Sequence, residues 1–299
     1  MRAFERLAGK RMSLVTLGLA WRACDRPCDW VAFPADDFNA IRAHGSIPDV
    51  DWASYSYPFT LDQPDFSLGA IAAGHDDAFL RRFAAAAAAW RHPFLLRLDW
   101  EMNLARTWPW SEGSNGNDAG DYVRMWRHVH DVFQAAGATN VTWVWCPNRV
   151  EDGDIPLDEL YPGDVYVDWT CMDAYNWGTH EPHPWGWKSF AQEFDGSYAA
   201  LRALAPGKPV MIGETASSED GGNKAAWIAD ALRSLPRRYP AVGALVWFDV
   251  YADGMDWPIE TSAAAEQAFA RGIRSPAYAP GTFSRLSSPK VRPLSGSGS

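Results

Sequence analysis

The stretch "LLRLDWEMNLARTWPW", residues 95–110, sets an apolar run against charges that a buried strand should avoid. Alternation along a strand over 94–101 puts Leu95, Arg97, Asp99 and Glu101 on one face, and Leu96, Leu98 and Trp100 on the other. Charges on an inward face are costly unless paired, and the C-terminal ends of barrel strands are where catalytic groups collect. The spacing therefore assigns Arg97 and Asp99 to a structural ion pair and leaves Glu101, at the rim, for chemistry. Trp108 and Trp110 follow in the exit loop. An indole can stack on the C–H face of a sugar while its N–H donates to a hydroxyl.

Working outward, strand-like runs recur at 14–20, 46–52, 94–101, 141–147, 167–175, 209–215 and 244–250. Helical patterns separate them. "DDAFLRRFAAAAAAW" aligns Phe79, Phe83 and Trp90, and its alanine run reads as helix; "YVRMWRHVHDVFQAAG" aligns Tyr122, Trp126, Val129 and Phe133, with Gly137 as its stop. Further helices fit 35–44, 197–204, 224–235 and 262–272. Strand followed by helix, repeated, gives a parallel sheet with helical cover. The length suits an α/β fold of the closed (β/α)8 TIM barrel kind, a single domain over 1–280, with the missing strand at 29–34 or within 53–75. Residues 281–299 have linker composition and are expected as a flexible tail. An open doubly wound sheet would favour a Gly-rich phosphate loop after the first strand, and none follows 14–20.

The 299 residues are 47% hydrophobic, enough for a large core, and carry a formal charge of -10, which disfavours nucleic acid and anionic membrane as partners. No stretch approaches the ~20 apolar residues that span a bilayer. Basic residues precede "MSLVTLGLAW", yet Arg22 follows and no A-x-A site appears, so the run reads as the first strand rather than a signal peptide. Four cysteines are too few for a disulfide scaffold. Cys146 and Cys171, inside apolar strands, read as free buried thiols; Cys24 and Cys28 could pair in an oxidising compartment. His180 and His183 lack an evident third ligand, so no metal and no cofactor is expected.

A second carboxylate closes the strand in "PVMIGETAS", where alternation puts Val210, Ile212 and Glu214 on one face. It comes about half a barrel of βα units after Glu101, so the two acids can face each other across the mouth. Glycoside hydrolysis requires such a pair, one to protonate the departing oxygen and one to attack or to activate water. A gap of ~5–5.5 Å gives retention and ~6.5–9.5 Å inversion.

"RLDWEMNLARTWPW", "WVWCPN", "YPGDVYVDWTCMDAYNW", "MIGETAS" and "VWFD…DWPI", in this order, resemble glycoside hydrolase family 26, best known for endo-β-1,4-mannanases. The resemblance spans residues 14–270 and implies a (β/α)8 barrel with retaining chemistry, Glu101 ending the fourth strand as acid/base and Glu214 ending the seventh as nucleophile. It implies that Tyr175, on one face with Asp173, holds the nucleophile through its hydroxyl, and that Trp247 forms the aromatic floor under the sugar next to the cleaved bond. Asn103, Trp145, Asn148 and Trp177, at or beyond strand ends, are candidates to line sugar subsites with Trp100, Trp108 and Trp110. Two positions depart from the family pattern: Trp100 stands where mannanases usually carry His, and Leu104 where glycine is expected. The implied substrate is a neutral β-linked polysaccharide or oligosaccharide, first β-1,4-mannan, with mixed-linkage β-glucan or β-1,3-xylan as alternatives. A secreted, monomeric enzyme is expected, because such polymers lie outside cells. The rival reading is a carbohydrate-binding barrel without catalysis.

Overall fold

A computed structural model describes residues 1–24, 27–180, 186–279 and 281–294. Eight strands form one sheet: β1 (Leu14–Cys24), β2 (Cys28–Trp30), β3 (Ile47–Tyr57), β4 (Phe94–Leu98), β5 (Val141–Trp145), β6 (Trp169–Asn176), β7 (Val210–Ser217) and β8 (Val242–Leu245). From β1 through β3 to β8 the ladder is parallel and follows chain order. The long helices Asp77–Trp90, Asp121–Ala135, Phe190–Leu204 and Lys224–Arg238 fill the connections, which is the (β/α)8 barrel plan. Six of the seven strands read from the sequence are present, and the last, read over 244–250, lies earlier as Val242–Leu245. The extra one, β2, falls in the 29–34 candidate, but it folds back antiparallel on the end of β1, with Arg22 opposite Trp30. In chain order Glu101 thus follows the fourth strand and Glu214 lies on the seventh.

Period-two alternation sorts the side chains into two layers. Outward, Val50, Trp52, Leu96, Leu98, Trp143, Met172, Val210 and Ile212 meet Phe79, Phe83, Trp126 and Phe133 of the helices in the main core. Inward, Ile47, Leu95, Val144, Cys146, Trp169, Cys171 and Met211 fill the barrel. The alanine run within Asp77–Trp90 buries Ala84 and Ala87, so helix and sheet approach closely.

Three expectations are corrected here. Residues 281–294, expected as a flexible tail, cross the floor of the barrel. Val291 is buried beneath the inner layer with Phe283 and Leu286 against it. Its N–H donates to Thr142 Oγ1 at 2.8 Å, and the Trp169 indole donates to its carbonyl at 3.0 Å. Apolar contact explains the order that a polar composition hid. Cys146 and Cys171, read as free thiols, are joined, because the parallel pairing of β5 with β6 brings two inward-facing positions together. Cys24 and Cys28 are also joined, across the turn between β1 and β2. Finally, Val210 and Ile212 face the helices rather than sharing a face with Glu214. Among the described residues no helix is long and apolar enough to cross a membrane.

Deleting residues 283–294 should cost about 3 kcal/mol, the scale for uncovering one fully and two partly buried apolar side chains. Urea unfolding would record this as a lower midpoint, whereas a tail free in solution would leave the midpoint unchanged.

Candidate active site

The inner layer ends in charge. Arg97 on β4 is fully buried, and each of its donors has a carboxylate. Nε donates to Asp51 on β3, Nη1 to Asp173 on β6 at 3.2 Å, and Nη2 to Glu214 Oε1 on β7. Burial disfavours the charge on Arg97, but Asp51, Asp173 and Glu214 together hold its pKa well above the ordinary value. The carboxylates feel the reverse balance. Burial pushes Asp51 and Asp173 up, opposed mainly by Arg97, and takes Asp49 to about 6. The expected partner of Arg97 was Asp99. Asp99 instead turns away and accepts from the Ser54 N–H and hydroxyl at 2.7 and 2.8 Å.

Glu214 reaches this cluster because β7 is not regular. Its pairing with β6 skips Gly213, so that Ile212 lies opposite Met172 and Glu214 opposite Asp173. A β-bulge of this kind re-aims one side chain. Gly213 itself must lack a side chain, since a Cβ there would lie 2.0 Å from Arg97 Nη1 and 2.5 Å from Cys171 Sγ. The Tyr175 hydroxyl donates to Glu214 Oε2, and burial followed by the Glu214 charge raises the tyrosine pKa well above normal, which keeps the proton on the phenol. Both oxygens of Glu214 therefore have donors.

Glu101 sits just past the end of β4, on a backbone that leaves the strand through left-handed conformations at Asp99 (φ 44°) and Glu101 (φ 55°). Such residues cost about 1–2 kcal/mol each and cluster at functional sites. Local bonds hold the turn. The Glu101 N–H donates to the Cys146 carbonyl at 2.7 Å, and the Asn148 amide donates to Glu101 Oε1 at 2.7 Å. Asn103 fixes Asn148 from behind, accepting from its N–H at 2.8 Å and donating to its carbonyl at 3.0 Å. Burial, and then the negative charge of Glu214, push Glu101 up to about 7, against the weaker pull of Asn148, Arg97 and Trp108. One carboxyl is thus poised to give a proton while the other is braced by two donors.

Rings flank the two acids in separate groups. Beside Glu101, Trp100 lies 6.1 Å from Trp108 and 5.1 Å from Trp110, and Trp108 stacks on Trp110 at 5.4 Å. Beside Glu214, Tyr175 meets Trp177 at 6.1 Å, Phe248 at 5.7 Å and Trp257 at 5.0 Å. The structure thus gathers Glu101, Glu214, Asn148, Tyr175, Trp100, Trp108 and Trp177. Asn103, Asp173 and Trp110 stand behind them as supports, fully or almost fully buried.

Of the expected lining residues, one is turned away and one bridges two layers. Trp145 faces outward, fully buried, against Tyr161 at 5.1 Å. Trp247 packs on Trp227 at 6.0 Å and Phe269 at 5.6 Å and also joins the group beside Glu214, its indole donating to the Trp257 carbonyl at 3.0 Å, while its neighbour Phe248 meets Tyr175. His183 lies outside the described residues, and His180 pairs with Asp220 at 3.3 Å. Cys146, Cys171 and Asp173 come close enough to suggest a metal site, but the sulfurs are paired and Arg97 donates to Asp173. Sequence reading missed Asp49 and Asp51, although their alternation on β3 repeats the signal read on β4. It also missed Lys224, wholly buried, whose ammonium donates to the carbonyls of Asp256, Trp257 and Pro258 and to Thr261 Oγ1, so fixing the loop that carries Trp257.

The family model "Glycosyl hydrolase family 26" matches residues 36–203, more than half the chain. Endoglucanase H of Acetivibrio thermocellus is 37% identical over 279 residues, 91% of this chain but only 29% of that protein, so the chain spans under a third of its relative. Among solved structures, a Cellulomonas fimi endo-β-1,4-mannanase double mutant aligns with TM-score 0.68 at 16% identity, covering 97% of this chain and 69% of the other. A GH26 β-mannanase from Bacteroides ovatus gives 0.66 at 15%, covering 95% and 86%. At such identities these two bear on the fold alone.

Gly213→Ala should destabilise the chain by about 2 kcal/mol or more, the scale of an overpacked core, and lower kcat by displacing Arg97 from Glu214. Denaturation and steady-state kinetics would check both. Normal stability with normal kcat would show that the space beside Arg97 is not needed.

Proposed function

Because the chain belongs to glycosyl hydrolase family 26, we propose that it hydrolyses internal linkages of a neutral β-linked polysaccharide by double displacement. The observation that carries this reading is the asymmetry of the acid pair: Glu101 is lifted to about 7 by burial and by Glu214, while Glu214 accepts from Arg97 and Tyr175. Glu101 gives its proton to the glycosidic oxygen as that bond breaks, and Glu214 forms a bond to the anomeric carbon. The leaving chain departs as an alcohol. The ester at Glu214 carries no charge, so the second-largest influence raising Glu101 disappears and its carboxylate form is favoured. Glu101 then takes a proton from water, which attacks the same carbon and releases Glu214.

For the substrate, the sequence motifs alone put β-1,4-mannan first, but the 37%-identical relative is named an endoglucanase, and Trp100 replaces the histidine usual in mannanases. These favour β-glucan, with the mixed-linkage polymer first to test and mannan second. A polymer of this kind is met outside the cell, so we assign the enzyme to the extracellular space, acting as a monomer with no nucleic-acid or membrane partner.

Reducing ends released from mixed-linkage glucan, glucomannan, mannan and xylan would test the assignment. Release should be greatest from the first. If no polymer yields reducing ends while binding persists, the non-catalytic barrel is the right reading. Glu101→Ala and Glu214→Ala should each lose turnover by at least about 10²–10⁴-fold with the fold retained; near wild-type hydrolysis by Glu214→Ala would remove it from the nucleophile role.

The sign of the pH dependence follows from Glu101. Its acid form is the active one, so kcat/KM should fall as pH rises through about 7. Asn148→Ala removes a donor that stabilises the carboxylate and should move this limb to higher pH. A limb that stays in place would mean that another group titrates.

A further inference from the structure

We propose that Phe59, flanked by Tyr55 and Tyr57, is a platform for a further hexopyranose of the substrate chain, beyond the sugars held at the two carboxylates. The proposal rests on the glycanase reading and extends it, by naming how far along the polymer the cleft reaches.

Sheet β3 ends at Tyr57, and the loop that follows presents rings to solvent. Tyr57 is 55% and Phe59 45% exposed. Uncovered apolar surface at a groove is a mark of a binding site. The patch continues the catalytic groove through ring contacts. Trp108, which meets Trp100 next to Glu101 at 6.1 Å, meets the edge of Phe59 at 6.0 Å, and Phe59 meets Tyr55 at 5.6 Å. Phe59 is therefore one ring removed from the ring beside the acid.

The loop is also held rigidly. The Gln63 amide accepts from the Ser56 N–H at 2.6 Å and donates to the Thr60 carbonyl at 2.8 Å, closing the loop on itself. Asn115 ties it to the loop that bears Trp108: its oxygen accepts from the Gln63 N–H at 2.7 Å, and its amide nitrogen donates to the carbonyls of Leu61 at 3.1 Å and Pro109 at 3.0 Å. A bond network of this density fixes an exposed ring in place before any ligand arrives, so little ordering cost falls on binding. Phenylalanine has no polar handle. It recognises an apolar face, and the C–H face of a β-linked hexopyranose is the one such surface the polymer offers.

The test uses the full chain and a ladder of oligosaccharides, from trimer to hexamer, of the polysaccharide that the wild type cleaves. In the wild type kcat/KM should rise at the length that reaches Phe59. In Phe59→Ala that rise should shrink by about 10-fold, the worth of one aromatic contact, with KM carrying the change; Phe59→Trp should restore it and Tyr57→Ala should lose part of it. Unfolding midpoints show whether each variant is folded. In parallel, affinity electrophoresis in gels containing the polymer compares Glu214→Gln with the Glu214→Gln/Phe59→Ala double variant, which should migrate more freely. An unchanged length profile together with unchanged retention overturns the platform. If the wild type hydrolyses none of mixed-linkage glucan, glucomannan, mannan and xylan, yet one of them retards Glu214→Gln more than the double variant, the glycanase reading is overturned and the platform stands.

Discussion

The site is organised around one buried guanidinium. Arg97 has no water to solvate it, so its charge survives only because Asp51, Asp173 and Glu214 take up its three donor directions. A planar fork suits this task, since its donors point in fixed directions toward three different strands, where lysine offers a single compact ammonium. The same contacts run outward to β3, β6 and β7, so a single residue on β4 registers three other strands with one another. The bulge at Gly213 and the absence of a side chain there are consequences. A cation filling the barrel axis leaves no room for a Cβ beside it, and the strand must carry an extra residue to bring Glu214 within reach.

Around this centre the barrel mouth divides into two aromatic groups, each braced by a polar residue lying out of view of the groove. On the Glu101 side, Trp110 donates to the Trp100 carbonyl at 2.7 Å, and Asn115 and Asn117 both bond the Pro109 carbonyl, which locks the Trp108–Trp110 loop. On the Glu214 side the brace is Lys224. Burial lowers its pKa to about 8, yet its ammonium is surrounded by carbonyl oxygens and the Thr261 hydroxyl, so the charge stabilises the loop that leads into the short 3-10 helix Ile259–Thr261. Trp257, carried on that loop, lies under Tyr175. The phenol that donates to Glu214 is therefore positioned from below as well as along its own strand.

Much of this was legible in the sequence, for reasons that differ by residue. The strands and helices follow from period, and Glu101 stands out because a charge at the end of an apolar run has few structural uses. Asp173 and Tyr175 fall on one face by simple alternation. Glu214 was found for a reason that fails in detail: regular alternation groups it with Val210 and Ile212, whereas the bulge reverses the face just before it. A bulge depends on what the strand packs against, and Arg97 is far away in sequence. The same blindness hid Trp247 and Phe248, adjacent aromatics of which either could face the sugar. It also hid the order of 281–294, where a single valine in a polar stretch finds the open floor of the barrel.

The balance of charge follows from the crowding. Asp49, Asp51, Asp173 and Glu101 each feel the charge of Glu214 as well as that of Arg97, and one cation cannot offset five anions in a medium that solvates them poorly. Protons must enter the cluster, and burial decides where. Burial pushes Asp51 and Asp173 well up in spite of their direct contacts to Arg97, Glu214 accepts from Arg97 and Tyr175, and Glu101, which accepts from the Asn148 amide, is taken to about 7. For Glu101 it is burial and then the charge of Glu214 that make the proton harder to lose, so the acid lifted to about 7 owes that lift to the carboxylate across from it.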